Sequence, residues 1–135
     1  MLFRSAQKAA HLVDAVFPLV PVRQWVLSLP FDIRYMMAWD HDLTRRVLGI
    51  FYRALSAHYR KKALARGIRK SRTGAVTVIQ RAGGALNLNV HFHTAVIDGV
   101  FTEAADGSLK FHRIPAPTTD EVKAIVKTEI GRAHV

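Results

Sequence analysis

The stretch NLNVHFHTAVIDG, residues Asn87–Gly99, is an apolar strand that carries two imidazoles. Because side chains on a strand alternate between its two faces, this segment predicts one core face and one polar face. The expected core face is made up of Leu86, Leu88, Val90 and Phe92. The expected polar face is made up of Asn87, Asn89, His91 and His93. The surrounding fold is therefore expected to be a sheet with one buried side.

The two imidazoles have the spacing of a metal site. His91 and His93 stand about 6.5–7 Å apart at the backbone, at ~3.3 Å of rise per residue, so that their rings can converge on one divalent ion. Two ligands are too few, and Gln80 on the preceding strand is the best-placed third, since an amide oxygen coordinates hard ions. Its face depends on the hairpin register, and Thr77 is the alternative on the other face. Two histidines on a solvated sheet face are the competing interpretation.

Two other polar side chains near this segment are weaker ligand candidates. Asp98 is expected to be a turn residue, because Asp98-Gly99 is typical of a β-hairpin turn. His112 lies on a later strand whose pairing the sequence leaves open.

The composition describes one domain without an export signal. The chain has 135 residues, half of them hydrophobic, which suffices for one core and excludes a disordered tail. No apolar run approaches the ~20 residues of a membrane span, and no signal-peptide pattern is present. Cysteine is absent, which excludes disulfides and thiolate chemistry. We expect a cytoplasmic protein without a membrane partner.

The charge balance favours a polyanionic partner. Lys and Arg number 20 against 10 Asp and Glu, a formal charge of +10, and nucleic acid is the commonest partner of such a chain. A surface selected for solubility or for anionic membranes is the alternative. The cations cluster at one helix end and in the loop that follows, and this cluster is expected to lie beside the histidine row. The predicted DNA-binding residues are Arg60, Lys61, Lys62, Arg66, Arg69, Lys70 and Arg72.

The element order predicts an α+β domain, an antiparallel sheet of about five strands with helices packed on it. A helix is expected in residues 1–22, and a strand follows over RQWVLSLP, Arg23–Pro30, with Trp25, Leu27 and Leu29 on one face. The segment FDIRYMMAW is a short helix. A long helix then runs from an Asp40 or Asp42 cap to about Arg66, with Gly67 after its end.

The second half of the chain is predicted to be a four-strand meander followed by a helix. Its strands are residues 74–80, the histidine strand from about Leu86, Val100–Glu103 and Leu109–Ile114. Thr118 and Glu121 fit a capping box at the start of the last helix. On the long helix, Tyr52 and Tyr59 are expected to be packing or rim residues rather than nucleophiles.

Three stretches resemble the two-tyrosine insertion-sequence transposases of the IS-ninety-one type, which are HUH endonucleases. They are AHLVD, VPVRQWVLSLP and GAVTVIQRAGGALNLNVHFHTAVIDGVF, within a resemblance that runs from about Ala9 to about Val126. His91-Phe92-His93 is the motif of histidine, bulky hydrophobe and histidine that names this class. The long phrase around it is far more specific than the motif alone, and it implies an HUH-endonuclease-like fold.

The resemblance implies a DNA strand-transfer endonuclease that acts in DNA transposition and recombination. The two histidines and a third polar side chain would hold Mg²⁺ or Mn²⁺, which polarises the scissile phosphate of single-stranded DNA at transposon ends. A tyrosine hydroxyl would then attack, forming a 5′-phosphotyrosine and freeing a 3′-hydroxyl. The basic cluster suits a phosphate backbone.

The chain departs from this family in ways that predict a fragment. The family usually carries an N-terminal cysteine-rich zinc module, and its nucleophilic tyrosines follow the HUH strand, whereas here no tyrosine follows Tyr59. Residues 1–129 are therefore expected to be a partial catalytic domain without the nucleophile. The end EIGRAHV back-translates to GAG ATC GGA AGA GCA CAC GTC, which resembles a sequencing adapter, so residues 130–135 are predicted to be non-native.

Two further functions remain open beside a transposase. A non-catalytic nucleic-acid-binding remnant would keep the charge and fold without the nucleophile, and it would bind DNA without cutting it. A metal-dependent hydrolase would use His91 and His93 with a water nucleophile and would cut without a covalent adduct. Since no tyrosine lies downstream, we expect the parent protein to be an active enzyme and this polypeptide alone to be inactive. The oligomeric state is not readable from the chain.

Overall fold

The computed structural model describes residues 18–81 and 90–133. The expected N-terminal helix over residues 1–22 falls mainly outside them. In chain order the elements are β1 (Val22–Ser28), α1 (Phe31–Trp39), α2 (His41–Ala65), β2 (Ala75–Gln80), β3 (His91–Ile97), β4 (Gly99–Glu103), β5 (Leu109–Arg113) and α3 (Thr119–Ala133). The α+β class is thus as predicted, and these elements follow the predicted order.

The histidine strand β3 lies at the centre of a three-stranded antiparallel sheet of order β1-β3-β2. Its β2 neighbour sets Gln80 opposite His91, and its β1 neighbour sets Ser28 opposite the same residue. At the other end of the strand, Val22 lies opposite Ile97. This register gives each residue of the sheet a defined face, because the side-chain period of a strand is two.

The five strands form two sheets, so the single meander predicted from the sequence is wrong. β4 pairs with β5 rather than with β3, and one isolated bridge joins Arg72 to Phe101. The Asp98-Gly99 pair is therefore not a hairpin turn. Gly99 instead allows β4 to lie close to β5, since a Cβ atom there would collide with the His112 carbonyl oxygen and the Phe111 ring. The chain passes from one sheet into the other at this point.

The helix ends follow the predicted capping chemistry. Asp40 caps α2, because its carboxylate accepts a hydrogen bond from the Leu43 amide at 2.9 Å. Gly67 follows the C-cap with φ of 79°, a left-handed conformation that costs glycine little. At α3, the Glu121 amide donates to the Thr118 hydroxyl and the Thr118 amide donates to the Glu121 carboxylate, each at 3.2 Å. The predicted capping box is confirmed.

The core lies between one face of the sheet and the long helix α2. Phe92 and Val96 from β3 are almost fully buried there, together with Phe51 and Leu55 from α2. Tyr59 is also buried, at 1% exposure, which confirms it as a packing residue, whereas Tyr52 is exposed on the rim. In the described part of the chain, no helix is both long and apolar enough to cross a membrane.

A buried carboxylate holds the junction between the two sheets. Asp98 is 3% exposed and receives two hydrogen bonds from the Arg23 guanidinium, at 3.0 and 2.9 Å. The Tyr59 hydroxyl donates to the same carboxylate at 3.2 Å, and the Trp25 indole donates to that hydroxyl at 3.4 Å. The Asp98 backbone bonds to the Pro21 carbonyl and the Ile114 amide. One residue thereby joins β1, α2 and both sheets.

Replacing Asp98 by Asn should destabilise the fold strongly. The change leaves the Arg23 charge without its anionic partner and disrupts a bidentate pair. Since the Arg23 side chain keeps 34% exposure, we expect a loss of about 2–3 kcal/mol in the free energy of unfolding, less than the ~3–5 kcal/mol of a fully buried pair. Urea denaturation followed by circular dichroism measures it.

Asp42→Asn is the matched control for this substitution. Asp42 pairs with Arg45 at 3.5 Å but is 76% exposed, so its replacement should cost less than about 1 kcal/mol. Equal losses in the two variants would contradict the role given to Asp98.

Candidate metal and nucleic-acid site

The two imidazoles lie side by side on the face of the sheet opposite the core. Val90 and Phe92 are fully buried, whereas His91 and His93 are half-buried. The ring centroids of the two histidines are 4.8 Å apart, with an edge-to-face orientation. The alternation predicted for residues 90–93 is therefore confirmed. The other members of the two predicted rows, Leu86, Asn87, Leu88 and Asn89, lie outside the described residues.

The pairing register decides between the two candidates for a third ligand. Gln80 stands directly opposite His91, and residues directly opposite each other project from the same face of a sheet. Thr77 stands opposite Thr94 on the core face, where their hydroxyl oxygens are 2.8 Å apart in a hydrogen bond. The register thus places Gln80 with the histidines and Thr77 on the far side of the sheet.

Asp98 and His112 lie away from the imidazole pair. Asp98 is engaged by Arg23 and Tyr59 at the sheet junction. His112 belongs to the second sheet, where its Nε2 atom forms a 2.8 Å hydrogen bond with the Thr102 hydroxyl. Neither residue can supply the third ligand from these positions.

The electrostatic environment keeps His93 able to coordinate. Burial lowers the pKa of His93, and the adjacent His91 lowers that pKa further. The neutral ring is therefore the dominant form at neutral pH, and only the neutral ring has a lone pair for a metal ion.

Gln24 is a hydrogen-bonding partner of the His93 ring. Its amide nitrogen, Nε2, lies 2.9 Å from His93 Nδ1. An amide nitrogen only donates, so in this orientation Nδ1 accepts and the neutral ring carries its proton on Nε2, whereas rotating the amide by 180° would reverse the two roles. A polar partner on the second ring nitrogen is the usual companion of a metal-binding histidine.

Sequence reasoning did not identify Gln24 or Ser28 as neighbours of the histidines. Alternation along β1 does place both on the face opposite Trp25 and Leu27. The missing information was that β1, and not only β2, pairs with β3. That pairing joins Gln24 to His93 across 69 residues of sequence, and local pattern gives no sign of it.

The donor set suits weak binding of a hard divalent ion. Within residues 18–81 and 90–133, no three His, Cys, Asp or Glu side chains come close enough to share an ion. The candidate donors are therefore the two imidazoles and the Gln80 amide oxygen, which share one face of the sheet. Mg²⁺ and Mn²⁺ accept oxygen ligands and keep several waters, so this partial set fits them.

The predicted DNA-binding cations divide into groups with different surroundings. Arg69, Lys70 and Arg72 line a groove beside Ile97 and Phe101. Lys62 is half-buried, and its ammonium group lies 3.0 Å from the Glu121 carboxylate, so it ties α2 to α3. The pKa of Glu121 is lowered by this contact. The remaining cations are exposed near the end of α2, and they are Arg60, Lys61 and Arg66.

The expectation that this basic cluster lies beside the histidines is wrong. The Ile97 amide donates to the Gly74 carbonyl, and Arg72 pairs with Phe101, so the loop reaches the far end of β3. His91 and Ile97 are separated by six residues, which is about 20 Å at ~3.3 Å per residue of strand. The direction of α2 explains the difference, because its N-terminus lies at the His91 end, where the Arg81 guanidinium is 3.1 Å from His41 Nδ1.

Comparison with known proteins connects this site with transposition. Residues 74–132 match the family model described as "Putative transposase". The matched range contains β2 to β5 and nearly all of α3, and therefore both imidazoles and Gln80. No curated protein and no solved structure matches the chain. The match supports a transposase segment, and with it a nucleic-acid-binding role in transposition.

Titration with Mn²⁺ should distinguish the two faces of the sheet. His91→Ala and His93→Ala should each lower the affinity by more than about tenfold, since loss of even an outer-shell partner costs that much. Gln80→Ala should weaken binding less, because it removes a neutral oxygen. Thr77→Ala is the matched control on the core face and should leave the affinity unchanged, with folding of all variants checked by circular dichroism. Wild-type affinity in both histidine variants would contradict the site.

Proposed function

We propose that this chain is the metal-binding part of a two-tyrosine HUH transposase that binds and cleaves single-stranded DNA at transposon ends. The observation that carries the proposal is the placement of His91, His93 and Gln80 on one face of a sheet within the range that matches transposases. A DNA substrate agrees with the cytoplasmic location expected from the sequence.

The residues of the site would act by holding an ion against a phosphate. A bound Mg²⁺ or Mn²⁺ ion would supply Lewis-acid polarisation of the scissile phosphodiester. His91 and His93 would provide nitrogen ligands in the neutral form that the lowered pKa of His93 favours. Gln24 would orient the His93 ring, and Gln80 would add an oxygen ligand.

Tyr52 and Tyr59 are poor candidates for the nucleophile. Tyr59 is buried on the core side, it donates to Asp98, and burial raises its pKa to about 12. Tyr52 is exposed, but it lies on α2, the helix that packs against the core face. These are the two tyrosines nearest in sequence to the histidines, and neither is our candidate for the nucleophile.

A non-catalytic remnant is the second candidate for this polypeptide taken alone, and the buried, hydrogen-bonded Tyr59 favours it. A metal-dependent hydrolase with a water nucleophile is the third candidate. The three functions differ in product. The transposase would yield a covalent adduct once it is given a tyrosine, the remnant would yield no cleavage, and the hydrolase would yield cleavage without an adduct.

The isolated chain should form no covalent complex with DNA. Incubation with Mn²⁺ and single-stranded DNA carrying transposon ends, followed by a denaturing gel, should show free protein only. Unshifted DNA of full length would agree with the remnant, whereas shortened DNA without an adduct would support the hydrolase. A shifted, protease-sensitive band would mean that a tyrosine of this chain is the nucleophile, and Tyr35→Phe and Tyr52→Phe would identify it.

Binding of single-stranded DNA should depend steeply on salt. Each phosphate neutralised contributes about 0.7 to the slope of log K against log salt for single strands. Replacing Arg60, Lys61, Arg69 and Lys70 by Ala should therefore flatten the slope, by up to about 0.7 for each phosphate that is no longer neutralised. Fluorescence anisotropy over a range of salt concentrations measures it, with a duplex of the same sequence as comparison. An unchanged slope would remove this cluster from the binding site.

A further inference from the structure

A groove of about 840 Å³ opens between the two sheets at the end of β3 remote from His91. One wall is the loop before β2, and the other is β4 with the turn that leads to β5. Among the described residues, three cations line it, Arg69, Lys70 and Arg72, against one carboxylate, Glu103. The groove therefore has the concave shape and the charge excess of an anion-binding surface.

The loop that carries these cations is fixed by its backbone. The Arg72 amide donates to the Phe101 carbonyl at 2.9 Å, and the Phe101 amide donates back at 2.7 Å. The Thr73 hydroxyl donates to the Gly99 carbonyl at 3.0 Å. Lys70 has φ of 53°, a conformation that side-chain-bearing residues rarely adopt and that the surrounding contacts have to maintain. None of these bonds uses the guanidinium or ammonium groups, which are exposed for a ligand.

The groove is continuous with the face that carries the imidazoles. Along β3 the residues at alternate positions are His91, His93, Ala95 and Ile97, and Ile97 lines the groove. Along β2 the same face passes from Gln80 through Val78 to Val76, which also lines the groove. The cations and the histidines therefore lie toward the two ends of one sheet face, on which Ile97 itself is 4% exposed.

We propose that the groove binds the phosphate backbone of single-stranded DNA several nucleotides away from the phosphate held at the histidine pair. His93 and Ile97 are four residues apart, about 13 Å, and His91 and Ile97 about 20 Å, at ~3.3 Å per residue. At ~3.4 Å per stacked nucleotide these spans correspond to about four to six nucleotides. The contact at the histidine pair rests on the proposed function, whereas the contact in the groove does not.

Single-stranded nucleic acid fits this surface better than an acidic protein does. Between the two contacts the face carries the half-buried apolar residues Ala95, Val76 and Val78, which offer contacts to unpaired bases. Phe101 adds an aromatic ring beside the cations, and such pairing of rings with positive charge is typical of single-strand binding. The match to transposases, residues 74–132, includes the β4 wall of the groove, whereas the three cations precede the matched range.

The test measures the affinity of fluorescent oligothymidylates of increasing length for the full chain. The groove variant is Arg69→Gln/Lys70→Gln/Arg72→Gln, which removes three charges and leaves the backbone bonds intact. The matched control is Arg45→Gln/Arg46→Gln/Arg53→Gln, which removes three exposed charges from α2 on the other side of the sheet. Circular dichroism checks that both fold.

When a chelator removes divalent ions, the groove variant should bind long oligonucleotides about tenfold more weakly than wild type. This loss is expected if each of the three charge contacts raises the affinity by a factor of about two. The control should lose much less, and His91→Ala/His93→Ala should bind like wild type. With Mn²⁺, wild-type affinity should rise beyond about four to six nucleotides, the length that spans both contacts at ~3.4 Å per nucleotide. That rise should disappear in the groove variant and in the histidine variant.

The outcomes separate the groove from the metal site. Equal losses in the groove and control variants would overturn the groove proposal, even if Mn²⁺ strengthens binding as the proposed function requires. A loss confined to the groove variant, with no effect of Mn²⁺, would retain the groove and overturn the metal site. Competition by an acidic peptide as effective as that by an oligonucleotide of equal charge would assign the groove to a protein partner and also overturn the proposal.

Discussion

The bidentate pair between Arg23 and Asp98 is the interaction on which the rest of the structure depends. It joins β1 to the point where β3 ends and β4 begins, and it holds the carboxylate against the Tyr59 hydroxyl of α2. The neutral partner Tyr59 completes the solvation of an almost fully buried carboxylate, which would otherwise carry a large desolvation cost. Strand, helix and sheet junction are therefore fixed by one charged group.

That pair also protects the chemistry of the site, because it helps to fix the register of β1 on β3. A slip of one residue between paired strands would turn each side chain to the other face. Gln24 would then lose its contact with His93, and Gln24 and Ser28 would face the core. The pair lies near Ile97, at the end of the sheet away from His91, yet it determines which groups surround the imidazoles.

Local pattern predicted most of the elements, and it failed where a distant partner decides. The Asp40 cap, the Gly67 termination and the Thr118 capping box depend on neighbours within four residues, so the sequence contains all the information. Asp98-Gly99 has the composition of a turn but is used for a buried ion pair and a close backbone approach. The sequence could not indicate this, because Arg23 lies 75 residues away.

The site shows the same division between local and distant information. The face of His91 and His93 follows from alternation. The nearness of Gln80 follows from the succession of β2 and β3 in the sequence, and its face follows from the register that sets it opposite His91. The position of the basic loop does not follow, because it depends on the direction in which α2 crosses the sheet. That direction is set by packing of Phe51, Leu55 and Tyr59 against the sheet, a property of three-dimensional contacts.

The separation of the cations from the imidazoles has an electrostatic consequence that a single mixed patch would lack. Fixed positive charges beside His91 and His93 would repel a divalent ion. At about 13 Å or more along β3 the groove cations lie beyond the Debye length of ~8–10 Å at physiological salt, so their repulsion is largely screened. Arg81 is closer in sequence, but its guanidinium contacts His41 at the start of α2. In the proposed function, the groove cations and the metal-binding histidines would thus act at opposite ends of one sheet face.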